Sequence, residues 1–138
     1  MKAQVFTVLK DFHLALIRKA PSELTISNAK LILVNGETIT KQEGRNARKF
    51  VENLLSRQKD LIDFCNGDWD KKCEVYNRIY DKNPKQGVFD ALKFVLYNNE
   101  VPGVAARECG VNLQCVKSLR TRFEFYIDTS VKLDKASN

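Results

Sequence analysis

This sequence predicts an all-α protein, from three observations. Apolar residues recur at steps of three and four through almost every segment, alternation of β-branched residues is scarce, and one helical pattern is repeated later in the 138-residue chain. Such a length suffices for one compact domain or two very small ones. The predicted architecture is a helical bundle with a helix-turn-helix, built from two diverged tandem repeats.

Taken in order, Phe6, Leu9, Phe12, Leu16 and Ile17 make an apolar stripe that opens the chain with a helix. The segments TISNAKLILVNGE (residues 25–37) and VENLLSRQKDLID (residues 51–63) continue the helical spacing. Asn66-Gly67, followed by Asp68 and Asp70, signals a turn, so a connection is placed at 65–74. Phe89, Leu92, Phe94 and Leu96, with Val95, mark a further helix. From Thr129 to Asn138 the chain is polar and without apolar periodicity, which predicts a flexible tail. The expected domains are therefore an N-terminal helical domain over 1–64 and a C-terminal one over 75–128.

The repeat carries this division. Residues 25–37 can be laid over GVFDALKFVLYNNE (residues 87–100), with Ala29 on Ala91 and, after one gap, Asn35 on Asn98 and Glu37 on Glu100. Residues 51–63 fall on VKSLRTRFEFYID (residues 116–128), matching Val51, Leu54, Arg57, Ile62 and Asp63 to Val116, Leu119, Arg122, Ile127 and Asp128. The offset grows from 62 to 65, so the first copy is three residues shorter. Chance similarity between amphipathic helices is the competing explanation.

Composition narrows the function classes. Lys and Arg outnumber Asp and Glu by 23 to 17, a formal charge of +6 with a pI near 9.2, which favours an anionic partner. The cationic excess is +5 in 1–60, −1 in 61–90 and +2 in 91–138. No apolar run approaches the roughly 18 residues of a membrane span, and the N-terminus lacks the apolar core and cleavage site of a secretory signal. A cytoplasmic protein with no membrane partner is expected. The four cysteines, Cys65, Cys73, Cys109 and Cys115, are read as reduced. There is no Cys-x-x-Cys pair and the single histidine is His13, so neither a zinc site nor a catalytic triad is expected. Glycine-rich phosphate loops are absent. Asp68, Asp70 and Glu74 are the only close carboxylates and read as a solvated linker. The expectation is a protein without catalytic residues, small-molecule substrate, metal or cofactor.

The strongest local signal runs from Pro102 to Thr121, whose spacing fits a helix-turn-helix. Ala106 is small where two helices cross, and Gly110 stands where a left-handed residue ends the first helix. Val111, Val116 and Leu119 pack the second helix on the first; Pro102 suits the first helical turn and Asn112 an N-cap. At 100° per residue Val116, Leu119, Phe123, Tyr126 and Ile127 fall on one side of the second helix. Gln114, Lys117, Ser118 and Thr121 fall on the other, with Arg120 on the flank. That acid-free face suits the major groove, where Gln pairs with adenine, Lys reaches guanine or phosphate, and hydroxyls do either. The expected DNA contacts are Asn112, Leu113, Gln114, Lys117, Ser118, Arg120 and Thr121. Cys109 and Cys115 are expected to pack, and Arg107 and Glu108 to be solvated or on the phosphate side rather than specific readers.

Residues 91–123, ALKFVLYNNEVPGVAARECGVNLQCVKSLRTRF, resemble the helix-turn-helix core of the KorA/TrfB plasmid repressors and, more loosely, the PapB-type regulators of adhesin operons. Shared are a helix with Ala near its start, a short polar turn, then Ala-x-x-x-Gly-hydrophobic and Val-x-x-x-hydrophobic. Residues 25–37 resemble the entrance to the same domain more closely still. The resemblance implies a bacterial plasmid- or phage-type transcriptional regulator that binds operator DNA, usually as a dimer.

The first copy departs from the pattern. Lys41 and Arg45 stand at the positions of Ala106 and Gly110, and Glu52 replaces Lys117. Base reading is not expected there, although Arg45, Arg48 and Lys49 cluster where they could hold phosphates or simply face solvent. Either both copies touch double-stranded DNA, one chain imitating a dimer, or the first serves assembly or a protein partner; a homodimer is the other arrangement. The expected function is a sequence-specific, nucleoid-associated transcriptional regulator, with repression the favoured sign. The rival is a protein-interaction module, an anti-repressor or an inhibitor of a host protein, on the same scaffold.

Overall fold

The computed structural model of the chain describes residues 1–80 and 82–138, apart from the side chains of residues 41–43. Among the described residues the fold is all-α, with α1 (Ala3–Leu16), α2 (Glu23–Leu33), α3 (Lys41–Asn66), α4 (Trp69–Ile79), α5 (Gln86–Asn98), α6 (Pro102–Glu108) and α7 (Leu113–Ser137). The chain divides into two compact units: Met1–Ile62 with Thr129–Asn138, and Asp63–Asp128.

In the first unit, Val5, Phe6, Leu9 and Phe12 of α1 are buried, as are Ala29 of α2 and Ala47, Phe50, Leu54 and Leu61 of α3. On α1, Val5 and Phe6 lie one turn before Leu9 and Leu9 one turn before Phe12, which makes the stripe that drives this packing. Ser22 starts α2 by accepting the Thr25 N–H on its hydroxyl at 3.2 Å. Gly36, at φ 69°, turns the chain out of α2, and the Glu37 N–H donates to the Leu31 carbonyl.

His13 is buried against the edge of Phe50, with ring centroids 5.6 Å apart, and its Nδ1 accepts from Arg57 Nε at 3.1 Å. Burial, and secondarily the Arg57 charge, hold its pKa below the usual 6.5. The folded state therefore keeps a neutral imidazole while the unfolded chain takes up a proton as the pH falls. The stability His13 contributes is complete above about pH 7 and is lost on acidification through its lowered pKa, with a slope of at most about 1.4 kcal/mol per pH unit. His13→Gln, which keeps an acceptor but does not titrate, is expected to flatten this fall between pH 7 and 5 in urea unfolding; an unchanged slope would assign it to other groups.

The second unit is built around Phe123 of α7. Its ring centroid lies 5.3 Å from Phe64, 5.4 Å from Trp69, 5.4 Å from Tyr76 and 6.4 Å from Phe89. Val88, Ala91, Leu92 and Val95 of α5 and Ala105 and Ala106 of α6 complete this core with Val116, Leu119 and Tyr126. Arg122 donates from Nη1 to the Tyr76 hydroxyl at 3.2 Å and stacks over Tyr80 at 4.4 Å.

Three expectations change. The connection at 65–74 is only the turn around Gly67: Asp68 accepts the Lys71 N–H at 2.9 Å, capping α4, whose first residue Trp69 is buried. Burying an indole outweighs the turn propensity of the polar residues around it. The expected flexible tail, 129–138, instead continues α7 to Ser137, with Thr129, Ser130 and Leu133 buried in the first unit. The buried positions 116, 119, 123, 126, 130 and 133 step by three and four without a break, and Ser130 conceals the pattern. Ile127, off that row, is 40% exposed rather than buried.

Candidate nucleic-acid interface

Helix α6 ends in a Schellman motif. The Val111 N–H donates to the Ala106 carbonyl at 2.9 Å and the Gly110 N–H to the Arg107 carbonyl at 3.2 Å, around a left-handed Gly110 at φ 66°. Pro102 lies in the first turn of α6, and the Asn112 side-chain oxygen accepts the Gln114 N–H at 2.7 Å, capping α7. Gly87 was not singled out by sequence. A Cβ there would stand 2.8 Å from Val111 Cγ1 and 3.2 Å from the Cys109 carbonyl, so a bare backbone lets α5 approach this turn.

Gly110 and Gly103 both have open space where a Cβ would go, yet only Gly110 has positive φ. Gly110→Ala is expected to destabilise by about 1–2 kcal/mol through backbone strain. Gly103→Ala, inside α6, is expected to stabilise by roughly 0.5–1 kcal/mol. Thermal melts of the two variants should shift in opposite directions; a shift in the same direction would refute the φ argument.

The turn presents the start of α7. Leu113, Gln114, Lys117 and Thr121 are exposed, and Ser118 and Arg120 half-buried. Gln114 and Lys117 thus project together from consecutive turns. Asn112 is exposed, with its oxygen engaged in the cap. The Thr121 hydroxyl donates to the Lys117 carbonyl at 3.1 Å, and Arg120 Nε pairs with Glu124 at 2.9 Å. Arg107 and Glu108 are exposed on α6.

Beside this row lies a concavity of about 500 Å³ between Tyr80 with residues 82–85 on one side and α7 on the other. Its cations are Lys82, Lys85 and Arg122, its short polar groups include Asn83, Gln114 and Ser118, and no carboxylate is among its described lining residues. Sequence reasoning missed Lys82, Lys85 and Arg122, because it followed one helix face and not the loop that faces it. The available signal was Lys82-Asn83-Pro84, a cation held beside a proline of fixed φ.

The first-copy candidates separate. Arg45 and Lys49 are exposed on α3, while half-buried Arg48 donates from Nη1 to the Ile39 carbonyl at 3.2 Å and so ties the segment before the helix. Because α3 runs unbroken through Arg45, the first unit has no counterpart of the Gly110 turn. Lys41 opens α3, and its side chain lies outside the described residues.

All four cysteines are free. Burial pushes the Cys73 thiol up to about 12, helped by Asp70 and Asp90, and raises that of Cys109 as well. Cys109 is half-buried and Cys115 exposed, so neither is a core residue. Among the described residues no group of three or more His, Cys, Asp and Glu is placed to hold a metal ion, and no helix is long and apolar enough to cross a membrane.

No protein-family profile matches the chain, and neither a curated protein nor a solved structure matches it.

Proposed function

We propose that the chain is a sequence-specific DNA-binding regulator of transcription, with α6, the Gly110 turn and α7 as a helix-turn-helix whose second helix enters the major groove. The observation that carries this is the exposed pair Gln114 and Lys117, projecting from the first turns of α7 beside a concavity whose described charged residues are all cations. Phosphates satisfy the lysines while the amide and hydroxyl groups face base edges. Occupying an operator would exclude RNA polymerase and repress.

Tandem duplication is part of the proposal. Ala29 and Ala91 are both fully buried. Gly36 and Asn99, at φ 69° and 55°, end their helices alike, with Glu37 donating to Leu31 and Glu100 to Phe94, six residues back in each case. Arg57 bonds His13 as Arg122 bonds Tyr76. These paired contacts support common descent better than chance amphipathicity does, because hydrogen-bond partners do not follow from helical spacing alone.

Competition gel shifts test the function. A bound site should be displaced by itself at about 10³- to 10⁷-fold lower concentration than by unrelated DNA. Lys117→Ala should weaken binding more than Arg120→Ala, since Arg120 is already held by Glu124. Equal displacement by all sequences would sink the proposal. It would favour a protein-docking module, to which Val101, Val104 and Leu113, all exposed around α6 and the start of α7, lend an apolar surface.

A further inference from the structure

We infer that each unit carries its own DNA-backbone cleft, the two built to one plan, so that the unit unable to read bases still grips phosphates. This rests on the DNA-binding proposal above and extends it to the first unit.

The first unit has a concavity of about 640 Å³ between the segment 17–22 and α3. Its loop side holds Lys19 and Pro21, and its helix side Lys49 and Asn53. In the second unit the corresponding places are taken by Lys82 and Pro84 on the loop and by Gln114 and Ser118 on the helix. The loop residues correspond at an offset of 63 and the helix residues at 65, the latter the same offset that aligns Leu54 with Leu119. Lys-x-Pro therefore precedes α2 in one unit and α5 in the other.

Among the described residues, neither lining contains Asp or Glu. A third concavity, of about 490 Å³ along α5, does: Asp90 and Glu108 face Lys93 there. Carboxylates in a cleft compete with phosphate for its lysines and repel the duplex, so the cationic and neutral side chains described in the two corresponding clefts suit a polyanion. Lysine serves phosphate as a point charge and needs no fixed fork geometry. In the first unit the neighbouring Asn53 adds a hydrogen-bond donor. Glu52 stands on exposed α3 where the second unit has Lys117, and it is not in the cleft lining. The division of labour follows: the second unit reads and grips, and the first only grips.

The test uses the full chain and a duplex of random sequence, followed by anisotropy from about 50 to 200 mM salt. Each lost phosphate contact lowers the slope of log K against log salt by about 0.9. Lys19→Ala with Lys49→Ala should therefore lower it by about two, Lys82→Ala with Lys85→Ala by about the same, and the combination by about four. Lys19→Arg with Lys49→Arg should keep the wild-type slope, which separates lost charge from lost folding. A slope unchanged by the Lys19 and Lys49 replacements, while the Lys82 and Lys85 pair lowers it, would overturn the inference. Loss of slope in both pairs without any sequence preference in the wild type would instead leave the clefts standing and remove the base reader.

Discussion

Replacing Phe123 by alanine is expected to cost about 3–5 kcal/mol, the loss typical of emptying a buried aromatic site. Phe123 is fully buried and its ring meets those of Phe64, Trp69, Tyr76 and Phe89, so one truncation removes packing from α3, α4 and α5 together. Aromatic pairs contribute roughly 0.5–1.5 kcal/mol each beyond the area they bury, and neighbours held on several helices cannot all collapse into the gap. Against a total of about 5–15 kcal/mol for a domain, the second unit would be close to unfolding. Fluorescence of Trp69, the single tryptophan, reports urea unfolding from within the cluster. Ile127→Ala, four residues on and exposed, is the control and should stay within about 0.5 kcal/mol. Similar losses for both would place Ile127 in the core and contradict the packing row. DNA binding should fail with Phe123→Ala, because α7 is the helix that both fills the core and presents Gln114.

The second large effect is on specificity. Gln114→Ala should relax preference at one base pair by about 1–3 kcal/mol, roughly 5- to 150-fold in relative affinity, with little change on unrelated DNA. A glutamine amide offers a donor and an acceptor together, which is what adenine presents in the major groove; alanine offers neither. Lys117→Ala should act differently, weakening binding on all sequences if its partner is phosphate. Thr121→Ala should matter less, since that hydroxyl already donates to the Lys117 carbonyl. Gel shifts against an operator and its single-base variants separate these cases. Equal discrimination by wild type and Gln114→Ala would take that side chain out of the groove.

What sequence revealed here divides by the range of the physics. Gly110, Pro102 and Asn112 were legible because a left-handed turn, a first-turn proline and an N-cap are each decided within a few residues. The helical class and most of the α5 and α7 core followed from spacing. The end of α7 was not legible, because Thr129 and Ser130 are polar residues at buried positions, and only the partner surface makes those positions buried. Helix α4 was hidden behind the Asn66-Gly67 turn and the acids near it, although Asp68 is its cap. The candidate site was half legible. Gln114 and Lys117 lie on one helix face, which periodicity exposes, whereas Lys82, Lys85 and Arg122 share a cleft with it only after the loop before α5 folds back on α7. Lys19 is the same case in the first unit. Its trace in the sequence was the Lys-x-Pro at residues 19–21, 63 residues before the one at 82–84.

The claim that α7 reads bases is tested most directly by selecting bound fragments from a random duplex pool, in parallel for the wild type and Gln114→Ala, and sequencing both. The predicted result is an enriched motif for the wild type that loses preference at one position in the variant. Pools that stay random for the wild type, or the same motif at full strength from both proteins, would contradict it.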